Sequence, residues 1–313
     1  MASSAPTPVI LDVDTGIDDA FALLLAARHP ALNLLGVTCV AGNAPLDDVV
    51  RNTLTVLETA GRTDVPVVAG ATRPLLAEPD YALHVMGGDG FGDVDWPRST
   101  RAPHAGHAVA WLHDTLMAAP EPVTLVTLAP MANIALLLRM HPQVASQIAR
   151  IVVMGGSAGT GNATPLAEFN VFHDPEAAAI VFGSSIPITM YGLDVFDQVL
   201  LPVAHFEQLA ASASPVAQLA GRLGIAFART IGDPVCLGDA GAVAILLEPQ
   251  ALTTQELLVS VITHDGPARG MTQVDRRSNT WVGNVPPKGR LVDVGLQVDA
   301  DALARVWWES VSA

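Results

Sequence analysis

The chain has 313 residues, half of them hydrophobic and 15% charged, with a formal net charge of −15. That is enough to bury the core of one large α/β domain, and no linker, low-complexity run or internal repeat divides it. Lys288 is the only lysine, so no basic stripe offers itself to nucleic acid, and no apolar run reaches the roughly 18 residues of a membrane span.

In chain order, a first strand is predicted over residues 9–13 and a helix over 18–29, with apolar Ala20, Phe21, Leu24 and Leu25. A strand over 34–40, a helix over 46–60 and a strand over 65–69 follow. After a long loop the pattern resumes: helix 104–118, strand 123–128, helix 131–140, strand 151–154, helix 175–182 and strand 186–190. Repeated alternation of this kind implies an open, mostly parallel sheet flanked by helices. The last third is less regular. Residues 257–263, 270–275 and 281–284 read as short strands of a small antiparallel addition, and 303–310 as a closing helix. Cys39 and Cys236 sit in no paired spacing, which fits a reducing compartment. The opening MASSAPTPVILDVD does not read as a signal peptide, so a cytoplasmic protein is expected.

In parallel sheets ligands bind at the carboxyl ends of the strands. Polar residues gather there: Asp14 to Asp19 after the first strand, Ala41-Gly42-Asn43 after the second, and a glycine-rich loop from Gly155 to Asn170 after Met154. The run Asp12-Val13-Asp14-Thr15-Gly16-Ile17-Asp18-Asp19 holds four carboxylates in eight residues. Asp12 and Asp14, two apart, share a face if the strand stays regular. Helix capping accounts for Asp18. It does not account for four acids beside an apolar strand, which repel one another unless protons or a cation intervene. Hard cations such as Ca²⁺ or Mg²⁺ take such oxygens. Asp239 precedes another helix and by itself reads as an N-cap.

The segment LDVDTGIDDA resembles the opening of the inosine-uridine nucleoside hydrolase family. The likeness continues through Ala41-Gly42-Asn43, Leu128-Ala129-Pro130, Val153-Met154-Gly155-Gly156, Gly161-Asn162-Ala163-Thr164, Ala167-Glu168-Phe169-Asn170-Val171 and Met271-Thr272-Gln273-Val274-Asp275. The resemblance implies calcium-dependent hydrolysis of the N-glycosidic bond of ribonucleosides, in purine or pyrimidine salvage, by a homodimer or homotetramer. It implies calcium ligands at Asp14, Asp19, Asp239 and the main-chain carbonyl of Leu128. It implies a ribose pocket of Asp18, Asn43, Met154, Asn162, Glu168 and Asn170, with Asp14 as base for the attacking water and Asp12 as a supporting acid. The chemistry is coherent. Positive charge grows on the ribose as the bond breaks, and carboxylates nearby stabilise it.

The residues also have plainer readings. Asn162 is a turn residue beside Gly161, and Glu168 and Asn170 alternate like one face of a strand. Asp174-Pro175 reads as N-cap and first helical residue, Met154 as core, and Asp275-Arg276-Arg277 as a surface ion pair.

Two positions depart from the family. Gly238 stands where many members have a His before the last metal-binding Asp. Met86 stands where a second His is common. Those histidines are associated with protonating the leaving base. His84, Asp89, Arg229 and Cys236 are possible substitutes. Otherwise the base leaves unaided, and ribosides with activated leaving groups are cleaved far better than common nucleosides. Restoring the acid by Gly238→His is then expected to raise activity on inosine, if the backbone tolerates a side chain. Two rivals stay open. Leu11-Asp12-Val13-Asp14-Thr15 also looks like the start of a haloacid-dehalogenase-type phosphatase, with Asp12 as nucleophile and Mg²⁺ as metal, although Lys288 lies too late for that scheme. The other rival is a non-catalytic nucleoside or ribose sensor.

Overall fold

A computed structural model describes residues 5–277 and 288–313, so the strand predicted over 281–284 falls outside the described residues. The first half of the chain runs β1 (Thr7–Val13), α1 (Ile17–Arg28), β2 (Leu32–Cys39), α2 (Leu46–Thr59), β3 (Val67–Ala69), α3 (Leu83–Met86), α4 (Ala108–Ala118), β4 (Val123–Thr127), α5 (Ala132–Met140) and β5 (Ile148–Met154). The second half runs α6 (Phe169–His173), α7 (Pro175–Phe182), β6 (Ile188–Tyr191), α8 (Leu193–Phe196), β7 (Leu200–Leu201), α9 (Val203–Ala210), α10 (Pro215–Ile231), β8 (Val235–Cys236), α11 (Asp239–Ala244), β9 (Leu252–Val261), β10 (Thr272–Asp275), β11 (Arg290–Val298) and α12 (Ala300–Ser312). No helix among the described residues is long and apolar enough to cross a membrane.

Nine strands form one sheet in the order β10-β9-β11-β6-β5-β4-β1-β2-β3, while β7 and β8 pair separately. Every pairing from β11 to β3 is parallel. Only β9 is reversed, pairing antiparallel with β11 on one side and with the edge strand β10 on the other. The mostly parallel sheet with a small antiparallel addition is therefore as expected. The strand that carries the addition, β11, has no counterpart among the predicted elements. It docks on β6 because Val292 and Val294 complete the buried core there.

The sheet divides two apolar layers. Along β1, Val9, Leu11 and Val13 face the layer containing α1, and Ile10 faces the layer with α4, α5 and α7. Helix α1 is buried from Ile17 to Ala27, apolar on nearly every side. A helix of that kind belongs in a protein interior. Trp307 on α12 seals it: the indole packs edge-on against Phe21 at 5.2 Å, and its Nε1 donates to the Phe21 carbonyl at 3.0 Å.

Helix α4 begins at Ala108, four residues after the predicted start. His104 instead bridges to Val68, and the His107 ring accepts from the Val109 amide as the N-cap. The 17-residue α10 has no counterpart among the predicted elements. Its Gly221 and Gly224 break the apparent pattern, yet they let the helix press against α9, since a Cβ at Gly224 would collide with the Phe206 ring.

Candidate active site

The loops at the carboxyl ends of the parallel strands close around a cavity of about 280 Å³. A larger hollow of about 630 Å³ lies against α4 at the opposite end of the strands, lined by His104, His107 and Trp111. The smaller cavity holds the chemistry. Asp18, Asp19 and Asp239 bring carboxylate oxygens within 4.8 Å of one another, the only group of three or more acids, histidines or cysteines so placed among the described residues.

Local hydrogen bonding explains the positions. Strand β1 ends at Val13, and the chain turns at once into α1. Asp19 reaches back over that turn, accepting from the Gly16 amide at 2.9 Å and the Asp14 amide at 3.3 Å. Its carboxylate also accepts from Asn43 Nδ2 at 3.2 Å. One oxygen of Asp14 accepts from the Asn43 amide at 2.7 Å, while Oδ1 is buried without a partner among the described residues. Residue 42 has to be glycine here, because a Cβ would collide with the Asp14 carboxylate.

Asp12 and Asp14 part company, against the expectation of a shared face. Asp12 accepts from Thr38 Oγ1 at 2.5 Å and Asn133 Nδ2 at 2.8 Å, and it does not line the cavity. It supports the strand ends. It cannot be the exposed nucleophile that a haloacid-dehalogenase-type phosphatase requires.

The electrostatics are severe. Asp14 and Asp19 are 0% exposed, Asp239 2% and Asp18 8%, and none has an ion-pair partner among the described residues. Burial, reinforced by the neighbouring carboxylates, holds Asp14 and Asp239 well above the usual carboxylate range and pushes Asp19 up to about 8. Burial also raises Asp18 to about 6. Such a cluster is all hard oxygen, with one oxygen orphaned, and it fits a hard divalent cation.

The glycine-rich loop supplies the opposite wall. Glu168 is the N-cap of α6, not part of a strand. Its two oxygens accept from the amides of Asn170 at 2.9 Å, Val171 at 3.1 Å and Gly156 at 2.9 Å. Even so, burial pushes it up to about 7. Asn170 follows in α6 and donates Nδ2 to the Leu128 carbonyl at 2.8 Å and the Met154 carbonyl at 3.2 Å. Asn162 Oδ1 accepts from the Phe169 amide at 2.9 Å, tying the loop to α6. Asp18, Asn43, Leu128, Met154, Asn162, Glu168, Asn170 and Asp239 all line the cavity. Asp14 and Asp19 lie beneath them, outside that lining.

The plainer readings hold elsewhere. Asp174 caps α7, and Asp275 pairs with Arg277 on the surface. Sequence reasoning marked Met86 but missed the rest of the apolar lining, Tyr81, Val85, Phe169, Phe172 and Phe196. Of the four substitute acids, only His84 reaches the cavity. Asp89 is ion-paired with Arg98, and Arg229 is exposed on α10. Cys236 donates its thiol to the Phe196 carbonyl at 3.2 Å, and burial pushes it up to about 12. Gly238 has φ +55° and ψ −119°, and a Cβ there would lie 2.8 Å from the Phe196 ring and 2.9 Å from Asp18 Cβ. A histidine at that position would therefore strain the backbone and press on the Phe196 ring.

Residues 9–305 match the model of the inosine-uridine preferring nucleoside hydrolase family. The chain belongs to that family. It is 42% identical over 305 residues to the pyrimidine-specific ribonucleoside hydrolase RihA of Escherichia coli, covering 95% of this chain and 97% of the relative. Among solved structures it resembles a plant nucleoside hydrolase at 30% identity, with a TM-score of 0.93 over 98% of this chain and 99% of that one. It also resembles a purine-preferring ribonucleoside hydrolase from Gardnerella vaginalis at 29% identity, with a TM-score of 0.88 over 97% and 98% of the two chains. As a nucleoside hydrolase, this chain is an N-glycosidase that converts ribonucleosides to ribose and free base.

Proposed function

We propose that this nucleoside hydrolase acts on pyrimidine ribonucleosides with one Ca²⁺ held by Asp14, Asp19, Asp239 and the Leu128 carbonyl. The observation that carries the metal reading is a set of buried, mutually repelling carboxylates with no cationic side chain paired to them among the described residues. The orphaned Oδ1 of Asp14 is the atom most in need of a cation. The Leu128 carbonyl already accepts from Asn170, and a carbonyl has a second lone pair to give. Asp18, the most exposed of the four acids, is left to meet a ribose hydroxyl, together with Asn43, Met154, Asn162, Glu168 and Asn170. Ca²⁺, when bound, supplies the positive charge that keeps these acids ionised together. Asp14 then accepts the proton of the attacking water, because Ca²⁺ acidifies water too weakly to act alone. The sugar-facing acids and amides stabilise the oxocarbenium-like ribose. Intact acids speak for an enzyme over a ribose sensor.

The pyrimidine preference rests on the curated relatives, named pyrimidine-specific at 42% identity, against 29% for the purine-preferring structure. The same reading takes the enzyme as cytoplasmic, supported by its two free thiols, and as a homodimer or homotetramer, supported by exposed Leu76, Met140 and Leu291.

Thermal unfolding tests the metal. An acid whose folded pKa is raised, as Asp19 is from 3.8 to about 8, favours the fold while protonated, so metal-free stability falls as pH rises between those values. Chelation by EDTA should lower Tm, and added Ca²⁺ should restore it, most strongly near the upper end of that window. A Tm indifferent to both reagents at every pH would sink the metal assignment.

A further inference from the structure

The cavity lining is of two chemical kinds. Acids and amides form one. The other is apolar, walled by Phe169, Phe172 and Phe196, and its polar groups are Asp80, Tyr81 and His84. With the ribose held by the acids and amides, as proposed, the base is left to meet the apolar lining, so any role in base departure rests on that reading. A pyrimidine leaving from C1′ carries away the electron pair of the C1′–N bond. It leaves far more readily if a proton reaches a ring nitrogen or carbonyl oxygen as the bond breaks.

Three polar groups of this lining could meet it. Asp80, once ionised, is only an acceptor. Tyr81 offers a phenol, and phenols as a class are much weaker acids than imidazolium ions. Imidazole is the side chain that exchanges protons near neutral pH. His84 is exposed on α3 and lines the mouth of the cavity, so its ring can recover a proton from bulk water between turnovers. Two positions on, Met86 is buried and carries a thioether, and Gly238 has no side chain. Neither can donate a proton.

We infer that His84 is the catalytic acid of this enzyme and protonates the departing base from the open rim of the cavity. The proton balance closes. The imidazolium gives its proton to the base as the C1′–N bond breaks, water adds to C1′, and Asp14 takes the proton that water loses. Solvent carries that proton back to His84, leaving ribose and free base as the only products.

The test is the ratio of turnover on uridine to turnover on p-nitrophenyl riboside, whose leaving group needs no proton. In H84Q this ratio should fall about 100-fold, the lower range of general acid effects. In Y81F it should stay within about threefold of the parent. A ratio unchanged in H84Q, or a fall confined to Y81F, would overturn the assignment. So would an equal loss on both substrates in an H84Q protein with parental Tm, since that marks a role in binding or folding. N170A separates this failure from failure of the ribose site. If N170A leaves p-nitrophenyl riboside turnover intact, the ribose is placed wrongly and the inference falls with it.

Discussion

The floor and the rim of the cavity are built on opposite plans. The floor is made of side chains at strand ends and helix starts, almost wholly buried and fastened by backbone amides, as Asp14 is by Asn43 and Glu168 is by Gly156. The rim comes from the four-residue α3, from the first turn of α6 and from α8, and it shows aromatic rings and one exposed imidazole to the opening. Deep fixation suits a task common to every substrate, activation of water and stabilisation of a ribosyl cation. A looser, half-exposed border suits the variable partner, the base. The difference teaches where chemistry and selectivity separate in this molecule.

Asp14→Asn is the harshest test of that division. It removes the proposed base and a metal ligand from the shared floor. Turnover should fall by about 10³-fold or more, equally on uridine, inosine and p-nitrophenyl riboside. A fall that depends on the leaving group would break the division, because the floor would then be sensing the base.

Gly238→His probes the seam between the two regions. Its positive φ and the nearby Phe196 ring should cost about 1–3 kcal/mol, seen as a Tm lowered by several degrees. Activity on inosine should not rise. A gain on inosine at unchanged Tm would show that the rim yields more readily than its packing indicates.

The gentlest test uses His173, on α6 behind the rim. It is buried, neither ring nitrogen has a hydrogen-bond partner among the described residues, and its ring centroid lies 5.7 Å from that of Phe169. Burial depresses it from 6.5 to about 4, with Asp80 working weakly in the opposite direction. A depressed histidine contributes stability that is complete above its unfolded pKa and is lost as pH falls through the folded one. His173→Leu should therefore flatten the loss of stability below about pH 6.5, by at most about 3 kcal/mol, while leaving neutral-pH activity intact. An acid limb unchanged in the variant would show that other groups govern it.

This division also decides what the sequence reveals. Asp14, Asp18 and Asp19 stand out because four acids in eight residues beside an apolar strand have no cheap structural explanation. Asp239, Asn162, Glu168 and Asn170 become legible only through family resemblance, since each alone passes for a cap or a turn. Glu168 is in fact a cap, and it is buried against the site as well. The rim phenylalanines were invisible, because apolar side chains read the same in a core and in a cavity wall. Helices and strands followed the same logic. Regular β-α alternation from β1 to β6 showed itself by period. Helix α10 hid behind Gly221 and Gly224, whose weak helix propensity is outweighed by tight packing against α9. Strand β11 hid behind Asp293 and Gly295, which interrupt an alternation that long-range pairing with β6 and β9 nevertheless enforces.

The Trp307 contact with Phe21 gives the floor an order of assembly. The acidic motif on α1 leaves the ribosome well before its partners. Its helix is apolar almost all round and has no surface of its own to show to water. Asp239 arrives more than two hundred residues later, and the indole that closes over α1 later still. A nascent chain thus carries most of its acids early but has nothing to act with until the helix bearing Trp307 is made. Until then the apolar flank of α1 lacks the indole that covers it in the folded chain.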